Sequence, residues 1–448
     1  MISVVLLKYF KGLLISDAYA PGLKYSERLR GYIGHAYLYR RTLEYFKGAG
    51  IHVEDRVMDS VPFPSYLTHN LKLRSYQETA LNSWLREMMG ILVLPTGSGK
   101  TVIALSAIAR LRTSTMIVVP TLDLMDQWCD SVRKSLGVEP GRVGGGRDEV
   151  KGITVITYDS AYTRIESLGN KFFFIIFDEV HHLPSEGYLN IAQLSAAPYR
   201  MGLTATVERE DGRHQALPEV VGPIVYRVSP SELAGKYIAE YDIEVIRVNM
   251  EPEEKEKYKE LREKFKGFLR SRGLTVRSLE DFRRLIGIAS RDREAREALL
   301  AWHEATSIAV NSNAKIRKLE ELLPTLHNEK VIIFTRNNYM AYSISKRFLV
   351  PVITYKVSKE ERREILEAFR EGKYRVIVTS NVLDEGIDVP DASVAIVMGG
   401  YGTSRQFLQR LGRILRKSSP QKRARLIEIV TRGTVDSALS RRRKSATQ

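Results

Sequence analysis

At 448 residues the chain is longer than one hydrophobic core usually supports, so two to four domains are expected. An apolar content of 44% and an aromatic content of 9% describe ordinary globular material, and no apolar run approaches the length that crosses a bilayer, which argues against membrane insertion. A net charge of +16, with a pI near 9.6, favours a polyanionic partner, since lysine and arginine displace counterions along a phosphate backbone. A generally charged surface with no such partner has the same composition. The single cysteine, Cys129, excludes an internal disulfide and a thiolate zinc cluster and fits a reducing cytoplasm. The opening stretch is apolar but interrupted by Lys8 and Lys11, and it reads as strand, not as a leader.

Residues 1–65 read as a small α+β domain. Val4 to Tyr9 and Leu13 to Ile15 flank Gly12 as a hairpin, and Tyr37 to Phe46 predicts a helix beside it. Tyr9, Tyr19, Tyr25, Tyr32, Tyr37, Tyr39 and Tyr45 are interleaved with Lys24, Arg28, Arg30, Arg40 and Arg41. Bases stack on such rings while arginines hold phosphates, yet tyrosines filling a small core give the same composition. Val61-Pro62-Phe63-Pro64 reads as a linker, because each proline removes a donor and restricts the residue before it.

A first α/β domain is expected over 66–230. Strands at Ile91 to Val93, Met116 to Val119, Ile153 to Ile156 and Phe172 to Phe177 alternate with helices from Lys100 and over Leu122 to Leu136. Strands apolar throughout, between amphipathic helices, predict a parallel sheet covered on both faces. A second domain, 231–448, opens with a helical insertion at 251–306, where Glu251 to Arg272, Leu279 to Ala289 and Ala295 to Ile308 carry helical spacing. Its apolar stripe packs the helices together, and its outer lysines and arginines suit a duplex backbone. Alternation resumes with strands at Val331 to Thr335, Val376 to Thr379 and Val394 to Met398, and a helix around Ser404 to Leu415; Arg441 to Lys444 read as a solvated, flexible end.

The loop Leu94-Pro95-Thr96-Gly97-Ser98-Gly99-Lys100-Thr101 lies between an apolar strand and a helix. Gly97 and Gly99 permit a bend whose N–H groups turn toward phosphate oxygens, Lys100 reaches the outer phosphates, and the Thr101 hydroxyl suits a Mg²⁺ shell. The strict pattern wants glycine where Leu94 stands. The second half holds no such loop, so it is a partner to the first domain and not an independent ATPase. The strand Phe172 to Phe177 delivers Asp178 and Glu179 at its carboxyl end, where phosphoryl transfer needs one carboxylate for Mg²⁺ and one to orient and deprotonate water. His181 and His182 are zinc ligands by type, but adjacent residues do not readily face one metal and no third cluster lies nearby, so zinc is not expected. Arg413 and Arg416 stand three apart on one predicted helix face, after Gln409. Guanidinium groups from a second domain stabilise a transferring phosphoryl group when domains close, which would make ATP a removable clamp; a basic surface helix has the same spacing.

The ordered set Leu73-Arg74-Ser75-Tyr76-Gln77, Pro95 to Thr101, Val119-Pro120-Thr121, Asp178-Glu179-Val180-His181, Leu203-Thr204-Ala205-Thr206, Asp384 to Pro390 and Gln409 to Arg416 resembles the motif series of superfamily 2 helicases over about residues 70–430. Within it the chain resembles the XPB type, in its compact archaeal form, through Arg209-Glu210-Asp211 and the thumb-like insertion. The resemblance implies two RecA-like lobes in tandem behind a damage-recognition-like domain. It also implies ATP-dependent, 3′ to 5′ opening of duplex DNA in nucleotide excision repair, at duplex and single-stranded junctions, with an archaeal repair nuclease as partner. By the same resemblance Gln77 reads the adenine edge with Arg74 nearby; Pro95, Thr96, Gly97, Ser98, Gly99, Lys100 and Thr101 hold the nucleotide; and Gln409, Arg413 and Arg416 meet the γ-phosphate. Thr204 and Thr206 couple hydrolysis to lobe movement, Gly386 and Asp388 touch nucleotide and DNA, and Arg209, Glu210 and Asp211 form a wedge at the junction. A double-stranded DNA translocase that releases no single strand fits the same motifs.

Overall fold

A computed structural model describes residues 4–68, 71–209, 211–237, 239–276, 278–380, 392–399 and 423–444. The chain divides into two units, Met1–Ser229 and Pro230–Gln448.

The first unit opens with β1 (Val5–Phe10), β2 (Leu13–Ser16), β3 (Lys24–Ser26), β4 (Gly31–His35), α1 (Tyr39–Gly48) and β5 (Val53–Arg56), with sheet order β3-β4-β2-β1-β5. Lys11 and Gly12 both take positive φ, which closes the β1–β2 hairpin with the twist that paired strands favour. This small sheet is joined to the rest of the unit. Ala196 belongs to its core, and the Tyr9 hydroxyl lies 3.2 Å from the Leu194 carbonyl. Tyr37 donates to Glu219 at 2.5 Å.

The body of the unit follows as α2 (Ser75–Glu87), β6 (Met89–Val93), α3 (Lys100–Leu111), β7 (Thr115–Val119), α4 (Leu122–Leu136), β8 (Gly141–Gly144), β9 (Arg147–Glu149), β10 (Ile153–Thr157), α5 (Tyr158–Leu168), β11 (Phe174–Asp178), α6 (Leu189–Gln193), β12 (Tyr199–Thr204), α7 (Leu217–Val220) and β13 (Ile224–Arg227). Their order is β13-β6-β12-β11-β7-β10-β8-β9, parallel except for β9. The central strands β7, β10 and β11 are buried along their whole length, as expected of a sheet covered on both faces. Arg200, itself buried, donates to the carbonyls of Ala192, Ser195, Ala197 and Val220 and so ties α6 and α7 to β12. Burial pulls its pKa down to about 9. One expectation is corrected: Val61 to Pro64 is not a free linker. The Asp59 and Val61 N–H groups donate to the carbonyls of Asn170 and Lys171, and Val61 packs on the main core. The donors that the prolines lack are supplied by their neighbours.

The second unit holds α8 (Pro230–Leu233), β14 (Glu240–Val248), α9 (Pro252–Ser271), α10 (Leu279–Ala289), α11 (Arg293–Val310), α12 (Asn313–Leu322), β15 (Val331–Phe334), α13 (Asn338–Phe348), β16 (Val352–Ile353), α14 (Lys359–Glu371), β17 (Val376–Thr379), β18 (Val394–Val397), β19 (Arg423–Thr431) and α15 (Val435–Lys444). The sheet order is β14-β19-β18-β15-β17-β16, all parallel. α9, α10 and α11 form the inserted helical layer, packed through Phe265, Leu285 and Ala298. The tail expectation is also corrected, because the backbone of Arg441 to Lys444 continues α15. That helix starts on Thr434, whose hydroxyl accepts the Asp436 N–H at 3.2 Å.

Asp436 and Lys315 form a fully buried ion pair. Lys315 Nζ also donates to the Met398 carbonyl at 2.8 Å, and Asp436 accepts the Thr431 N–H at 3.1 Å. Removing one partner leaves a buried charge uncompensated, so Asp436→Ala is expected to destabilise this unit by about 3–5 kcal/mol, whereas Lys315→Met with Asp436→Leu recovers most of that loss. Urea unfolding of the full chain checks both; equal stability of the single variant and the parent would refute the anchoring role.

Candidate nucleotide site

The carboxyl ends of β6, β12 and β11 lie side by side, with β12 between the other two. The loop 94–101 therefore leaves the sheet two strands, roughly 10 Å, from Asp178 and Glu179. The sequence explains each placement. Leu94 is buried and its N–H donates to the Thr204 carbonyl, so it continues the ladder where the strict loop pattern has glycine. Gly97 and Gly99 both have φ of +82°. A Cβ on Gly99 would sit 2.5 Å from Gln77 Nε2, so that close approach needs glycine.

Gln77 is buried and fixed from both sides. Its Oε1 accepts the Arg74 N–H at 2.9 Å and its Nε2 donates to the Ser98 carbonyl at 2.8 Å. Tyr76 donates to the same carbonyl at 2.5 Å. The start of α2 is thus bonded directly to the loop, with Arg74 exposed beside it. Lys100 folds over the loop, with Nζ 3.2 Å from the Leu94 carbonyl, and Thr101 stands in the first turn of α3. Pro95 is buried, and Thr96 Oγ1 is buried with no hydrogen-bond partner, a polar atom that a phosphate oxygen would satisfy.

Asp178 is buried, and burial raises its pKa. Against that act a 2.7 Å hydrogen bond from the Trp128 indole to Oδ2, the Lys100 charge, and the Glu179 N–H on Oδ1 at 3.0 Å. Tyr158 holds the backbone from below, donating to the Asp178 carbonyl at 3.1 Å. Glu179 has a φ of +47°, the left-handed region, so its side chain leaves the sheet edge along a direction that the strand does not use.

Thr204 links the two halves of the site. Its hydroxyl proton goes to the Thr206 carbonyl at 2.7 Å, so the 3.0 Å contact with His181 Nδ1 makes His181 the donor. His181 also lies 3.4 Å from Glu179 Oε2. Arg209 does not project outward. Its guanidinium bonds the His181 carbonyl at 2.7 Å and holds Asp211 by two bonds, of 2.9 and 2.7 Å. That grip keeps the Asp211 carboxyl well below the usual carboxylate range. Glu210, Gly386, Asp388, Gln409, Arg413 and Arg416 lie outside the described residues.

Sequence reasoning missed Tyr76, Trp128, Tyr158 and the donor role of His181. Trp128 was legible only as part of the apolar face of α4. A buried indole must still place its N–H on an acceptor, and that requirement was the available signal.

Fold and site define an ATP-hydrolysing enzyme of the helicase class. The comparisons agree. Residues 70–209 match the family model described as "Type III restriction enzyme, res subunit", 314–418 match the helicase conserved C-terminal domain, and 7–57 match the xeroderma pigmentosum group B helicase damage recognition domain. The helicase domain of Hef from Pyrococcus furiosus shares the fold, with a TM-score of 0.55 and 21% identity over 84% of this chain and 98% of that one. The chain is 60% identical to the DNA 3′-5′ translocase XPB2 of Sulfurisphaera tokodaii over 98% of its own length and 100% of the relative's. It is 29% identical to a putative DNA 3′-5′ helicase Rad25 of Haloarcula marismortui and 29% identical to the DNA 3′-5′ helicase XPB of Kineococcus radiotolerans, spanning 54% and 60% of their lengths. The chain belongs to the XPB family. No helix among its described residues is long and apolar enough to cross a membrane.

Trp128→Phe keeps an aromatic ring, though a smaller one, and removes one donor from a buried carboxylate. Expected are a stability loss of about 1–3 kcal/mol and a fall in ATP turnover of about tenfold, the equivalent of roughly 1.4 kcal/mol of misplaced charge. Thermal unfolding and phosphate release measure these, and a variant matching the parent in both would show that the indole does not set Asp178.

Proposed function

We propose that the chain couples ATP hydrolysis to 3′ to 5′ movement on DNA and opens duplex at junctions with single strands, in nucleotide excision repair in the cytoplasm, with a repair nuclease as partner. The observation that carries this reading is the shared carboxyl edge. The Leu94 N–H joins the loop 94–101 to Thr204, His181 joins Thr204 to the turn that carries Asp178 and Glu179, and Gln77 and Trp128 brace the loop and Asp178 from α2 and α4.

In this reading the loop N–H groups and Lys100 hold the triphosphate, and Gln77 with Arg74 reads the adenine edge. Thr101 and Asp178 fit Mg²⁺ by their oxygen donors, and the ion when bound neutralises phosphate charge. Glu179 orients the attacking water and takes its proton, while Trp128 keeps the neighbouring carboxylate fixed. Gln409, Arg413 and Arg416 bring positive charge to the γ-phosphate, and Gly386 with Asp388 contacts nucleotide and DNA. Thr204 and Thr206 pass the state of the nucleotide side through His181 to Arg209, and Arg209, Glu210 and Asp211 sit at the duplex junction. Movement on duplex without strand release is a second reading. It is favoured by the name translocase, borne by the relative of 60% identity.

Lys100→Ala is expected to abolish DNA-stimulated phosphate release, and Glu179→Gln to abolish it while nucleotide still binds. Strand displacement from a 3′-tailed duplex, run beside triplex displacement, separates the two readings. Triplex release with no strand separation excludes helicase action, and phosphate release unaffected by DNA excludes both.

A further inference from the structure

The N-terminal sheet uses its tyrosines in two ways. Tyr9, Tyr37 and Tyr39 place their hydroxyls on internal acceptors, the carbonyl of Leu194 and the carboxylates of Glu219 and Asp55. Tyr19, Tyr25 and Tyr32 instead converge as rings. Tyr25 and Tyr32 stand directly opposite each other across β3 and β4, with centroids 5.4 Å apart and planes at 68°. Tyr19, which lies in no strand, packs on Tyr32 at 5.7 Å and 73°. Tyr32 rests on the small core and supports both outer rings, which remain 56% and 60% exposed.

Cross-strand aromatic packing stabilises a small sheet, and that accounts for the Tyr25 and Tyr32 pair. It does not account for Tyr19 or for the charge around the rings. Lys24, Arg28 and Arg30 are exposed, and among the described residues none has a carboxylate at ion-pair distance. Glu27 is the lone acid between residues 20 and 35. Lys24 alternates to the other face of β3, while Arg28 and Arg30 lie in the turn that joins Tyr25 to Tyr32. Exposed aromatic faces next to exposed, unpaired arginines are complementary to a ligand with flat apolar faces and a regularly spaced negative backbone.

We propose that Tyr19, Tyr25 and Tyr32 form a stacking platform for unpaired bases of single-stranded DNA, with Arg28 and Arg30 on its phosphates. The proposal rests on the reading of the chain as a DNA motor and gives the N-terminal domain a role of its own. The name of its family model speaks of damage, whereas stacking accepts any unpaired base, intact or damaged. A duplex offers no free base face except at its ends, so the ligand is an unpaired strand.

The test uses the full chain and a deoxythymidine oligomer carrying 5-bromodeoxyuridine, irradiated and mapped by mass spectrometry. Crosslinks at Tyr19 or Tyr25 are expected, and crosslinks confined to residues after 65 overturn the proposal. In anisotropy titrations, Tyr25→Ala and Tyr19→Ala each weaken single-strand binding about tenfold, leave a blunt duplex of equal length unaffected, and are rescued by phenylalanine. Arg28→Ala and Arg30→Ala each lower the slope of log affinity against log salt by about 0.7, the single-strand value. Phosphate release without DNA is unchanged in all of them. Tyrosine variants that bind single strands as the parent does, whether because the patch receives a protein or receives nothing, overturn the platform. So do equal losses on duplex and single strand. A parent chain whose phosphate release does not respond to DNA fails the motor reading instead.

Discussion

A carboxylate buried at a strand end, and so dependent on the groups around it, is the constraint on which the first unit depends. Asp178 closes β11, whose five residues are all buried, and burial alone pushes its pKa upward. The Trp128 indole, the Lys100 charge and the Glu179 N–H oppose that shift. Each comes from a different element: α4, the start of α3, and the turn after β11. The order of strands in the sheet is what brings those elements to one edge, so fold and site are a single electrostatic problem.

Part of this was legible in the sequence. Uninterrupted apolar strands between amphipathic helices announce a covered parallel sheet, and the three helices of the insertion fall where apolar spacing put them. The hairpin at Lys11 and Gly12 followed from its glycine. Other elements carried weaker signals. β14 reads EYDIEVIRV, and its charged residues suit the outer edge of a sheet, where one face meets water. Its partner β19 lies almost 200 residues away, and no local pattern encodes such a pairing. The tail failed for a related reason. Composition marked Arg441 to Lys444 as solvated, but the helix is nucleated upstream, where Thr434 caps it and Asp436 pairs with Lys315.

Within the site, the groups that bind through backbone or charge were legible, and those that act by orientation were not. Gly97, Gly99 and Lys100 declare themselves, because few other residue types fit a phosphate-binding bend. Trp128 and Tyr158 fall at helical positions where any large apolar side chain would satisfy the core. Their polar atoms find acceptors only after the sheet has formed, and sequence periodicity is blind to that choice. Arg209 is a third case. The family resemblance placed it in a wedge at the junction, and sequence alone did not show that its guanidinium bonds the His181 carbonyl and Asp211.

The turn after Asp178 shows how such partners act together. Glu179 occupies a left-handed conformation that costs a residue with a side chain on the order of 1–3 kcal/mol. Glycine would relieve that cost and delete the carboxylate, so the surroundings must hold the backbone instead. They do so on both sides: Tyr158 and the ladders to β7 and β12 fix the strand before it, and His181, bonded to Thr204 by its ring and to Arg209 by its carbonyl, fixes the turn after it. The main chain therefore sets the direction in which Glu179 leaves the strand, and His181 stands 3.4 Å from its Oε2. A displacement of Thr204 or Arg209 would reach the carboxylate by turning the peptide that carries it.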